Sequence, residues 1–172
     1  MRFLLIILLV QLTNCSDMKP EDYINTEPKI KIEEYFLGGV KAWGIFQDRS
    51  GKVKRQFTAE MNGSFDNEIL ILDEDFSWND GEKQKRKWKI KKVGDNKYEG
   101  TAPDVIGIAK GVSYGSAFKF EYNLLIPYKD KKIKVRFDDW IFKQDNKVAI
   151  NRAIASKFGF KVGELTVFFV KD

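Results

Sequence analysis

Between Val53 and Phe65 the chain alternates without a break. Val53, Arg55, Phe57, Ala59, Met61, Gly63 and Phe65 fall on one side, and Lys54, Gln56, Thr58, Glu60 and Asn62 on the other. Successive side chains of a strand point to opposite faces, so this stretch is a strand with one buried and one wet face. The same period runs from Val40 to the C-terminus. It is interrupted by the turn formers Arg49-Ser50-Gly51, Asp66-Asn67, Asn79-Asp80-Gly81 and Gly94-Asp95-Asn96. Leu70, Leu72, Phe76 and Trp78 keep one phase, as do Phe118, Phe120, Tyr122, Leu124 and Ile126, and later Leu165, Val167 and Phe169. Turn signals at this spacing predict a meander of about eight to ten strands. A meander with one buried face closes most easily into an antiparallel up-and-down β-barrel, because closure removes the exposed edges. The expected fold class is therefore all-β. Ile32 to Leu37 (IEEYFL) reads as a short helical turn before the first strand, stopped by Gly38-Gly39.

The first residues are of another kind. Arg2 precedes an apolar run, Phe3 to Val10, that is too short to span a bilayer. Leu12-Thr13-Asn14-Cys15 then fits a bacterial lipobox, with Asn14 where Gly, Ala or Ser is usual. The expected organisation is a lipoprotein signal peptide over 1–14, a lipidated tether over 15–30 beginning at Cys15, and a single barrel domain over 31–172. Ser16, and not Asp, follows the cysteine, which favours the outer membrane, with the domain facing the periplasm. More than one acyl chain at Cys15 is enough for stable anchoring.

The sequence has no histidine and one cysteine. This excludes Ser-His-Asp and Cys-His catalysis, His-based zinc sites and an intrachain disulfide. No catalytic residue, metal or cofactor is expected. Gly111-Val112-Ser113-Tyr114-Gly115 matches G-x-S-x-G. A nucleophile elbow needs a strand-to-helix turn and a base, so this is read as a glycine-rich turn. Asp73 and Asp75 share a face and are expected to meet Lys or Arg on an adjoining strand. In the run Lys83 to Lys92, Arg86, Trp88 and Ile90 share one face and Lys85, Lys87, Lys89 and Lys91 the other. Export removes nucleic acid as a partner. The lysine face is expected to be solvated or turned towards anionic lipid head groups.

Three charges stand out on faces that are otherwise apolar. Arg55 lies in phase with Phe57, Asp139 with Ile133, Val135, Phe137 and Ile141, and Arg152 with Val148, Ile150 and Ile154. A charge on a buried face needs a partner. These residues are expected either to satisfy one another or to hold the polar end of a ligand, for instance a carboxylate meeting Arg.

Ala42-Trp43-Gly44-Ile45-Phe46-Gln47-Asp48-Arg49, Leu72-Asp73-Glu74-Asp75-Phe76, Phe137-Asp138-Asp139-Trp140-Ile141-Phe142, Ile150-Asn151-Arg152 and Ser156-Lys157-Phe158-Gly159-Phe160 follow one another in order. On these blocks the chain resembles the DUF3833 family of bacterial lipoproteins from about Tyr35 to its end. The resemblance implies a periplasm-facing lipoprotein with a lipocalin-like barrel and a lipid-related role. In lipocalins a first-strand Trp packs with a late-strand Arg to close one end. Trp43 and Arg152 are the matching candidates, although Lys41 stands where the Gly-x-Trp pattern has glycine.

The leading expectation is an anchored barrel that binds or carries a small amphipathic, lipid-derived ligand, with Trp43, Arg55, Asp139 and Arg152 as a ligand-binding or structural polar network. The alternative is a structural or assembly accessory of the envelope with a filled core, whose partner is another envelope protein. An enzyme acting through Arg and Asp is the third and least favoured expectation. Interior volume separates the first two. Phe57, Phe118, Phe120, Phe137 and Trp43 packed into the lumen would leave no ligand space, whereas an apolar cavity of about 300 Å³ or more would support binding.

Overall fold

The computed structural model describes residues 18–172. The expected signal peptide, 1–14, and the expected lipidation site, Cys15, lie outside the described residues. Ten strands form a closed barrel in which each strand pairs antiparallel with its sequence neighbour and the last returns to the first. They are β1 (Gly38–Asp48), β2 (Val53–Asp66), β3 (Ile69–Trp78), β4 (Lys83–Lys92), β5 (Lys97–Thr101), β6 (Ala109–Tyr114), β7 (Ala117–Tyr128), β8 (Lys131–Lys143), β9 (Val148–Lys157) and β10 (Phe160–Lys171). The all-β barrel expected from alternation is the observed fold.

The two ends differ. A short helix, α1 (Ile32–Tyr35), seals the end from which β1 starts. Ile30, Ile32, Tyr35 and Phe36 are all buried there. Gly38, just past the helix, has φ +85°, a conformation that glycine adopts at little cost. Gly63 on β2 seats the plug: a Cβ there would lie 1.8 Å from the Phe36 carbonyl oxygen. The opposite end carries the β1–β2, β3–β4, β7–β8 and β9–β10 turns and the longer β5–β6 connection.

Of the stretch expected as a tether, 15–30, the described residues pack on the barrel. A 3-10 turn (Pro20–Tyr23) lies against the outer wall, where the Tyr23 ring meets Trp140 and Phe142 at 5.8 and 5.5 Å. Thr26 bonds Ser116, and Ile30 is buried. Aromatic area on both partners outweighs the freedom of a polar linker.

The barrel interior follows the expected phase in β2, β3, β4, β7, β8 and β10. Phe57, Phe76, Trp88, Phe118, Phe120 and Phe137 are buried inside. β9 reverses the expectation. Ala149, Asn151, Ala153 and Ala155 point inward, while Ile150, Arg152 and Ile154 point out. Both faces of β9 carry apolar residues, so local pattern does not choose between them. Interior volume does: opposite large rings only small side chains fit. β1 behaves likewise, with Val40, Ala42 and Gly44 inside and Trp43 outside. At Gly44 a Cβ would lie 2.3 Å from the Phe57 ring.

Candidate functional site

The register decides where the expected polar residues go. Arg55 is on the inner phase of β2 but at the open rim. Its guanidinium lies 4.0 Å over the Trp78 ring and 2.7 Å from both Asp80 and Glu82 of the β3–β4 turn. It is a rim lock, not a lumen ligand. Arg152 is on the outside of β9, ion-paired to Glu164 of β10, because the small residues of β9 took the interior. Trp43 is 47% exposed on the outer wall, where β1 pairs it with Phe168 across the β10 ladder. The expected Trp43–Arg152 closure of the barrel is therefore absent, and α1 seals the end from which β1 starts. Of the four network residues only Asp139 reaches the lumen.

Asp139 does so in the company of Tyr122 and Asn151, with Glu74 and Arg86 on other strands. The Tyr122 hydroxyl donates to its carboxylate at 2.8 Å. The Asn151 amide donates to the other carboxylate oxygen and to the Trp140 carbonyl, the latter at 2.9 Å. On the facing wall Glu74 (β3) is buried, and Arg86 (β4) approaches it at 3.9 Å. Arg86 also donates through Nε and Nη2 to Asp104, at 3.1 and 2.8 Å. Asp104 sits in the β5–β6 connection. β5 pairs only with Lys89–Lys92 of β4, so Arg86 faces no strand on that side. The connection fills the gap, bonded to β7 through Ile106 N–H to Asn123 O and Leu125 N–H to Asp104 O.

This interior group holds three carboxylates and one guanidinium. Burial pushes Glu74 up to about 7, helped by Asp104 and Asp139 and opposed by Arg86. Burial likewise pushes Asp139 up to about 6, against the hydrogen bonds from Tyr122 and Asn151. Tyr122 is raised well above the usual phenol range by burial and by Asp139. Glu74 Oε2 and Asp104 Oδ1 are buried without a hydrogen-bond donor. Among the described residues no group of three or more potential ligands is arranged to hold a metal ion.

The lumen itself is full. Phe57, Phe118, Phe120 and Phe137 fill it as the accessory reading expects, with Phe120, Tyr122 and Trp88 in mutual contact at 5.3–5.6 Å. Space remains at the plugged end. A pocket of about 690 Å³ lies beside α1, between the β2–β3 and β4–β5 turns. Its floor is apolar, formed by Ile32, Leu70 and Ile90 with the Tyr98 ring, and Phe65 forms one wall. Its rim is charged, with Glu33, Glu68, Lys92 and Asp95. Tyr98 Oη donates to Glu33 at 2.8 Å and Lys92 lies 3.3 Å from the same carboxylate. The volume is within the range of small-molecule sites.

The remaining sequence candidates are quickly placed. Lys85, Lys87, Lys89 and Lys91 are on the outer face of β4, and Lys85 and Lys87 pair with Asp75 and Asp73 of β3, each at 3.0 Å. Ser113 of the G-x-S-x-G match lies in β6 and donates to the Ile30 carbonyl at 2.6 Å, a contact that holds the approach to the plug.

A family model described as "Protein of unknown function (DUF3833)" matches residues 9–171. No curated protein matches. Among solved structures, the S-type phycobiliprotein lyase CPES from Guillardia theta is similar with a TM-score of 0.60 at 11% identity, over 83% of this chain and 93% of that one. A protein of unknown function from the DUF3598 family of Nostoc punctiforme PCC 73102 gives a TM-score of 0.63 at 11% identity, over 85% of this chain and 51% of that one. At such identity the likeness is one of fold.

Proposed function

The chain belongs to the DUF3833 family, and for this member we propose a binding role: the barrel holds a small amphipathic, lipid-derived ligand in the pocket beside α1. The observation that carries this is the pocket's lining, an apolar floor of Ile32, Leu70 and Ile90 under a charged rim. The likeness of the barrel to that of a phycobiliprotein lyase supports a ligand role at the level of fold. The ligand's polar end differs from the one expected. Glu33, Glu68 and Asp95 outnumber Lys92 at the rim, so a hydroxyl, amide or amine suits it and a carboxylate is repelled. The same proposal places the protein on the outer membrane, facing the periplasm, through lipid on Cys15.

N-phenyl-1-naphthylamine, a fluorescent amphipath with one N–H donor, tests the site. The wild-type protein is expected to bind it, and Phe65→Asp to weaken binding about tenfold. Phe65 is half-exposed, so its replacement leaves the fold intact. Equal binding by the two proteins at unchanged Tm would move the site elsewhere. The filled lumen favours a second reading, an envelope accessory protein that works through its outer surface. That reading predicts no saturable binding of the probe at all.

A further inference from the structure

The open end of the barrel, away from the pocket, carries two hairpin tips of unusual composition. The β9–β10 turn is Phe158-Gly159, with Phe160 next. Phe158 is 88% exposed and Phe160 77%. Phe158 has φ +52° and Gly159 φ +82°. A two-residue turn with both central residues at positive φ is the place for Asn-Gly, because a bulky side chain there is strained. An aromatic ring is thus held in water, at a backbone position that disfavours it.

The charges around the tips are mostly positive; Asp130 is one exception, and Glu164 is another, paired with Lys161 and Arg152. Lys157 and Lys161 flank the two phenylalanines, and the Lys157 ammonium lies 5.3 Å from the Phe158 ring. The neighbouring β7–β8 hairpin ends in an exposed Tyr128, followed by Lys129, Asp130, Lys131, Lys132 and, on the same strand, Lys134. The β8–β9 ladder, from Arg136↔Ser156 onward, joins the two hairpins, so both tips face the same way. Among the described residues Lys129, Lys131, Lys132, Lys134 and Lys157 form no ion pair with a carboxylate. The lysines of β4 are a poorer basic surface, since two of the four are matched by Asp73 and Asp75.

We propose that the β7–β8 and β9–β10 tips dock the barrel on an anionic bilayer, with Phe158 and Phe160 entering the head-group layer and the lysines meeting lipid phosphates. Aromatic rings with adjacent lysines suit that layer, where one part of the surface is apolar and the next is charged. The contact is separate from a lipid on Cys15 and from the pocket at the other end, so it stands or falls apart from the binding role.

The test uses the full chain carrying Cys15→Ser, which removes the natural thiol, with a nitroxide placed by Phe158→Cys or, at the opposite end, by Asn67→Cys. Vesicles of equal phosphatidylglycerol and phosphatidylcholine are added. Oxygen accessibility of the label at position 158, relative to that of a water-soluble nickel chelate, is expected to rise several-fold, and the label at 67 to stay aqueous. Pure phosphatidylcholine or 0.5 M NaCl should abolish the rise. A label at 158 that stays aqueous, or a label at 67 that enters instead, overturns the proposal. Phe158→Asn in the Cys15→Ser chain with the label at position 160 (Phe160→Cys) separates docking from folding. Asn suits positive φ, so Tm should stay level or rise while the label at 160 loses most of its entry. A fall in Tm with entry unchanged would make Phe158 a structural residue and contradict the docking role.

Discussion

At the scale of single residues, the barrel's central charge arrangement makes definite demands. Among the described residues Arg86 is the one cation paired with Glu74 and Asp104, and removing one partner of a buried pair leaves the others uncompensated. Arg86→Met is expected to cost about 3–5 kcal/mol at pH 8, measured by urea unfolding. Glu74 sets a pH dependence whose sign follows from its raised value. In the folded protein it holds its proton up to about 7, and in the unfolded chain only to the ordinary carboxylate range near 4.5. Below that range both states are protonated and the group is neutral to stability. As pH rises from about 4.5 the unfolded chain releases this proton while the folded protein keeps it, so stability falls progressively until about 7, where the folded carboxyl also ionises and the loss is complete. Glu74→Gln removes this loss. Its Tm is predicted to exceed that of the wild type at pH 8 and to converge on it near pH 4. Asp139 acts through its donors: Asp139→Ala leaves the Tyr122 hydroxyl and one Asn151 bond without an acceptor, at a cost of about 1–3 kcal/mol.

At the scale of elements, β9 shows what local pattern can and cannot do. β2 alternates large apolar with polar residues, so its faces are legible from sequence. β9 reads Val-Ala-Ile-Asn-Arg-Ala-Ile-Ala, apolar on both faces, and the larger residues look like the core. The choice is made by rings that arrive from other strands. The same limit hid the site. Glu74 is in phase with Leu72 and Phe76, and Arg86 with Trp88, so both were visible as inward positions. Their meeting with Asp104 depends on the shortness of β5, and nothing in the alternation measures that. The pocket is less legible still, because Ile32, Leu70, Ile90 and Tyr98 come from four elements. The volume argument predicts an asymmetry on β9. Ala153→Leu, at a fully buried position, should cost about 1–3 kcal/mol by overpacking. Ile154→Ser, one residue on and facing out, should change stability by about 0.5 kcal/mol or less. For the plug, Gly63→Ala drives a Cβ into the Phe36 carbonyl and should loosen α1, seen as faster amide exchange at Tyr35 and Phe36.

At the scale of the whole molecule, the barrel divides its tasks between its ends. One end is sealed by α1 and keeps the amphipathic pocket; the other presents phenylalanines and lysines to the outside. Between them the buried rings of Phe57, Phe118, Phe120 and Phe137 separate the two ends. The proposed role requires that this protein carry a ligand at the plugged end. Native mass spectrometry of the protein purified from its native cells, with organic extraction of what it holds, tests that claim most directly. A small lipid-derived adduct without a free carboxylate, present in the wild type and lost in Phe65→Asp, is the predicted result. A wild-type protein that arrives empty would contradict it and leave the filled-core accessory in its place.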